Sequence, residues 1–66
     1  MMRPDYCHYK NFTIEVTYFP EYDAYTWEAF DGKNRLKMSN YTLLKSKEYL
    51  IKDAHQKIDI FIANEK

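Results

Sequence analysis

Side chains able to do chemistry are few in this chain and widely scattered. Cys7-His8 places a thiol beside an imidazole. A nucleophile and its base must face one another and be oriented by a third group; adjacent residues do not, and no third group stands in a recognisable spacing to them. Cys7 is the only cysteine, so it cannot close a disulfide within the chain, nor build a zinc site with two histidines as far apart as His8 and His55. His55 falls on the flank of a helical stripe, where a solvated ring is the plain reading. Glu21, Asp23 and Asp31 gather near turns. Paired carboxylates can run glycosidic or phosphoryl chemistry, but acidic residues at turns also cap and solvate the backbone, and that structural reading is adopted. Gly32 is the only glycine, too few for a phosphate-cradling loop, and there is no nucleophile elbow. The expectation is therefore no enzyme activity, no metal and no cofactor.

Binding chemistry is better represented. Seven tyrosines and an aromatic fraction of 18% supply large contact areas with polar handles. Lys33, Arg35 and Lys37 alternate along one short stretch, and Lys45 and Lys47 stand at the entrance to a helix. Together these five form a possible nucleic-acid-binding set, with exposed aromatics available to stack on bases. Ten basic residues balance ten acidic ones, however, which leaves no bulk attraction to phosphate.

The elements that must carry these groups follow from periodicity. From Phe12 to Phe19 the period is two: Phe12, Ile14, Val16 and Tyr18 take one side, and Thr13, Glu15, Thr17 and Phe19 the other. "PEYD" supplies a turn, after which Tyr25, Trp27 and Ala29 alternate with Thr26, Glu28 and Phe30. Asp31-Gly32 marks a second turn, and a shorter strand near residues 34 to 38 points Leu36 and Met38 inward, Arg35 and Lys37 outward. Ser46 is an N-cap with Glu48 in the first turn, and Ile51, Ala54, Ile58 and Phe61, widened by Leu50 and Ile62, make the apolar stripe of a helix over residues 46 to 63.

These elements predict an α+β domain: a three-stranded antiparallel β-meander with one C-terminal helix packed on one face, β-β-β-α. It occupies residues 1–66 as one small domain, with 1–8 a flexible tail and 9–63 the folded core. Thr13, Glu15, Thr17, Phe19 and Phe30, with Arg35 and Lys37 as neighbours, form the expected partner-binding face. The plainer alternative is a solvated face stitched by cross-strand charge pairs. The edge of the strand from Phe12 to Phe19 lacks lysine and proline, so it invites strand addition by another protein or by a second copy in a homodimer. No apolar run suits a membrane span, no signal-peptide core is present, and the single cysteine fits a reducing cytoplasm.

The run "YKNFTIEVTYFPEYDAYTWEAFDG" followed by "KSKEYLIKDAHQKIDIFI" resembles the HicB-like antitoxin domain. The resemblance rests on Tyr9-Lys10 leading into an alternating strand, the acidic turn Glu21 to Asp23, the second strand Tyr25 to Phe30, the Ser46 to Glu48 cap, and the Ile58-Asp59 pair ending the helix. "DGKNRLKM" stands where that family usually carries a Pro-Gly-Cys-like segment, and the separate DNA-binding segment that many members carry after this domain is not expected within these 66 residues. The resemblance implies a non-catalytic domain that masks or holds a partner: an antitoxin-like inhibitor, or a phage or bacterial regulator such as an anti-defence protein. The leading expectation is thus stoichiometric binding to a protein, and the alternative is a small RNA- or DNA-binding domain using the basic strand and helix.

Overall fold

The computed structural model describes residues 4–40 and 43–65. Four strands, β1 (Asp5–Tyr9), β2 (Phe12–Phe19), β3 (Ala24–Phe30) and β4 (Leu36–Ser39), precede one helix, α1 (Lys47–Asn64). The strands form an antiparallel sheet in the order β1-β2-β3-β4. The class is α+β as the periodicities predict, but the sheet has four strands where three were expected.

The additional strand comes from the stretch expected to be a loose tail over 1–8, of which residues 1–3 lie outside the described residues. Tyr9 pairs with Phe12 and Asp5 with Val16, so Lys10 and Asn11 alone turn the chain between β1 and β2. Lys10 takes a left-handed φ of 55°, a conformation any side chain but glycine adopts at some cost. Two anchors hold it there: Lys10 Nζ donates to Asp59 Oδ1 at 2.7 Å, and Tyr9 Oη donates to both Asp59 oxygens at 3.0 Å. The Tyr9 ring also stacks on His55, with centroids 3.9 Å apart. β1 therefore occupies the edge of β2 from Phe12 to Val16. The open edge expected along Phe12–Phe19 is corrected: free edges lie along β1 and along the short, lysine-bearing β4.

Directly paired residues of an antiparallel ladder share a face of the sheet. One face presents Cys7, Phe12, Ile14, Val16, Trp27 and Ala29, and there the helix packs through Leu50, Ala54 and Ile58. Ile14, Ala29, Leu50, Ala54 and Ile58 are all fully buried. Trp27 is the largest side chain of the core, 2% exposed, and its indole Nε1 donates to Asp53 Oδ2 on the helix at 3.0 Å. Leu36, expected in this core, is instead 53% exposed. A register shift between Ala29 and Phe30 pairs Met38 with Ala29 but Leu36 with Phe30, so the bulge moves Leu36 off the inner face.

The helix starts as the sequence suggests. Ser46 accepts a hydrogen bond from the Tyr49 backbone N–H at 3.1 Å, and Glu48 lies in the first turn. Ser46→Ala is expected to lower stability by about 0.5–2 kcal/mol, read as a shift of the urea midpoint at unchanged m-value. Among the described residues, no helix is long and apolar enough to cross a membrane.

Candidate partner-binding face

The sheet face turned away from the helix is built by counting along the ladders. Tyr6 pairs with Glu15 and Glu15 with Glu28; His8 pairs with Thr13 and Thr13 with Phe30; Thr17 pairs with Thr26. Of the expected partner-binding residues, Thr13, Glu15, Thr17, Phe19 and Phe30 all fall on this face. Their side chains are half-buried, while Tyr6 at the edge is 61% exposed. A hollow of about 300 Å³ opens there, lined by Tyr6, Thr13, Glu15, Phe30 and Asn34. Beside it Thr13 Oγ1 and His8 Nδ1 are 3.3 Å apart.

Arg35 and Lys37 do not join that face. Asp31 draws them away: its Oδ1 accepts from the backbone N–H groups of Lys33 and Arg35 at 2.9 Å each, and its Oδ2 lies 3.3 Å from Arg35 Nε and 3.8 Å from Lys37 Nζ. The same carboxylate shapes the β3–β4 turn, with Asn34 rather than Gly32 in the left-handed region at φ 64°. A Cβ at Gly32 would meet nothing within 4 Å, so the glycine is not sterically required. Arg35, Lys37, Asp31 and Phe12 line a separate hollow near the end of the helix.

The cross-strand charge pairs expected on the outer face are consequently absent among the described residues. Glu15 and Glu28 face each other instead, a like-charge arrangement that disfavours the pairing. Every aspartate, by contrast, has a partner: Asp5 with Lys47, Asp23 with Tyr18, Asp31 with Arg35, Asp53 with Lys57 and Trp27, and Asp59 with Lys10. Those pairings commit Lys10, Arg35, Lys37, Lys47 and Lys57 away from the two glutamates.

The possible nucleic-acid set is likewise divided. Lys33, Arg35 and Lys37 surround the turn after β3, whereas Lys45 Nζ donates to the Tyr22 carbonyl before β3, and Lys47 Nζ to Asp5 Oδ2 at 2.8 Å. The cations sit at opposite ends of the sheet and form no single stripe.

Potential chemical groups are dispersed as well. Cys7 lies half-buried on the inner face, and burial pushes its thiol pKa up, away from nucleophilic thiolate. His8 belongs to the outer face and His55 stacks on Tyr9. Among the described residues, no three His, Cys, Asp or Glu side chains gather to hold a metal ion. A larger groove of about 490 Å³ runs between helix and β4 over Trp27, Met38 and Phe61, with Ile60 half-exposed at its rim.

Two surface carboxylates contribute to the acid sensitivity of the fold. The Lys10 hydrogen bond holds the Asp59 carboxyl below the usual carboxylate range, with Tyr9 assisting. The backbone N–H of Arg35 does the same for Asp31, with that of Lys33 assisting. Because the folded values lie below the unfolded ones, their contribution is complete above the ordinary carboxylate pKa of about 3.9 and is lost as pH falls through the folded values. Urea midpoints measured from neutral to acid pH are expected to hold until about pH 4 and then fall, and Asp59→Asn to flatten that fall.

No protein-family model matches this chain, and no curated protein and no solved structure is significantly similar to it.

Proposed function

We propose that this chain is a small non-catalytic interaction module that binds a protein partner stoichiometrically, using the sheet face opposite its helix. It acts as an inhibitor or regulator in the style of the HicB-like antitoxin domain that its sequence resembles. The observation that carries this reading is the contrast between the two faces. One is sealed by α1 over Trp27 and Ile14; the other carries an open hollow lined by Tyr6, Phe30 and Glu15, with the like-charged Glu28 opposite Glu15 and Phe19 at the far end of β2. Aromatic side chains with a few fixed polar groups are the composition of protein-binding surfaces. A single helix on a single sheet builds shallow hollows, which suit docking better than they suit the enclosed sites of catalysis.

The test is affinity purification of the tagged chain from its native host. The expected result is one protein recovered in equimolar amount and free of nucleic acid. Recovery of nucleic acid alone, or of no companion, would overturn the reading.

A further inference from the structure

The like-charge pair at the centre of the outer face identifies the chemistry of its partner. Glu15 and Glu28 oppose each other on the two central strands, so their Cβ atoms stand about 4.5–5.5 Å apart. Neither side chain has a hydrogen bond or an ion pair in the described structure, and Lys10, Arg35 and Lys37 are held by Asp59 and Asp31 instead. A sheet would relieve this repulsion internally if a lysine stood at Thr26 or Ser39, the neighbouring outer positions; neither is charged. Among the described residues no side chain neutralises the pair, which leaves it open to a cation from outside.

The surroundings narrow the choice of cation. Glu15 lines the hollow together with Tyr6 and Phe30, so a carboxylate and two aromatic rings converge on one space of about 300 Å³. A guanidinium satisfies all of these at once. It is planar and weakly hydrated, it stacks on aromatic faces, and its two donor edges can fork to separate carboxylates. An ammonium offers a compact, strongly hydrated point charge with rotatable donors, and has neither a plane to lie against both rings nor a fixed donor fork.

We propose that the outer face docks an arginine-bearing segment of a partner protein, one guanidinium bridging Glu15 and Glu28 with its plane against Tyr6 and Phe30. This deepens the proposed function and rests on it. Thr13 and Asn34 complete the hollow as polar neighbours for the segment's backbone.

The probe is a short acetylated and amidated peptide of alternating glycine and arginine, titrated into the isotope-labelled full chain while backbone amide shifts are recorded. Counterparts carry citrulline, which keeps the shape and loses the charge, or lysine, which keeps the charge and loses the plane. The arginine peptide is expected to move amides of Tyr6, Thr13, Glu15, Glu28 and Phe30, and to bind about tenfold more tightly than either counterpart. Glu15→Gln with Glu28→Gln, checked for an otherwise unchanged amide spectrum, is expected to lose the same factor.

No shifts on this face at about 1 mM peptide, shifts confined to the helix, or equal binding of the citrulline or lysine peptide would overturn the inference. An oligonucleotide that moves the outer-face amides where the arginine peptide does not would also overturn it. A host protein retained equally by wild type and by the double glutamine variant sinks this inference but spares the proposed function. A host purification that yields no protein at all sinks both.

Discussion

Trp27→Ala is expected to leave the chain largely unfolded at room temperature. The indole is the largest side chain of the core and lies 2% exposed beneath the helix. Removing it costs about 3–5 kcal/mol in transfer and cavity terms. It also takes the donor from Asp53, which holds the sheet to the helix through that bond. A domain of this size has only about 3–5 kcal/mol of stability in total, so the loss is comparable to all of it. Because Trp27 is the only tryptophan, the readout must be circular dichroism rather than fluorescence. Ile58→Ala on the helix is expected to behave similarly, at about 2–5 kcal/mol. Ile60→Ala, two residues further on but half-exposed, is expected to stay within about 0.5 kcal/mol of the parent. A reversal of that order would place the helix on its other side.

The second large effect separates a paired strand from an open edge. Glu15 is paired with Tyr6 on one side and Glu28 on the other. Its amide faces a neighbouring strand whichever way it points, and proline removes that donor. Glu15→Pro is therefore expected to abolish the cooperative unfolding transition, since a stranded ladder acceptor alone costs about 1–3 kcal/mol before any steric clash. Glu15→Thr at the same position is expected to do the opposite. It removes the repulsion with Glu28 and installs a β-branched residue, raising stability by a few tenths of a kcal/mol. If Glu15→Pro folded with parental stability, β1 would not be paired as described.

Much of this architecture is legible before any coordinates. The alternation from Phe12 to Phe30 and the Ser46 cap each agree with a single local rule, and the buried Ile14, Val16, Trp27, Ala29, Ala54 and Ile58 follow from period. Leu50, expected at the margin of the helical stripe, is instead fully buried, whereas Ile51 and Phe61 are only half-buried. β1 is hidden for a physical reason. Asp5 and His8 dilute its pattern, and its hairpin is closed by Lys10 at positive φ, where a glycine or asparagine would have announced the turn. Its signal is the pair of β-forming tyrosines, Tyr6 and Tyr9, placed just ahead of Asn11. Leu36 misleads because a bulge changes the parity of a strand only four residues long. Arg35 and Lys37 alternate as an outward pair should, yet Asp31 captures them through the turn it caps.

The candidate site was half legible for a similar reason. Period two assigns Thr13, Glu15, Thr17, Phe19 and Phe30 to the outer face but is silent on register. Register comes from the turn: once Phe19 pairs with Ala24 across "PEYD", counting back along both strands brings Glu15 opposite Glu28. That count turns an assumed network of opposite charges into an uncompensated like pair. Tyr6 entered the face only when β1 did.

Solvent accessibility of individual methyl groups tests the foundation of this account most directly. With a soluble paramagnetic chelate added to the isolated, isotope-labelled chain, the methyls of Thr13, Thr17 and Thr26 should relax rapidly. Those of Ile14, Val16, Leu50 and Ile58 should remain sharp, because α1 seals the face they share. Threonine methyls as protected as those of Ile14 and Ile58 would mean that the chain's own residues cover the outer face, and no docking surface would remain.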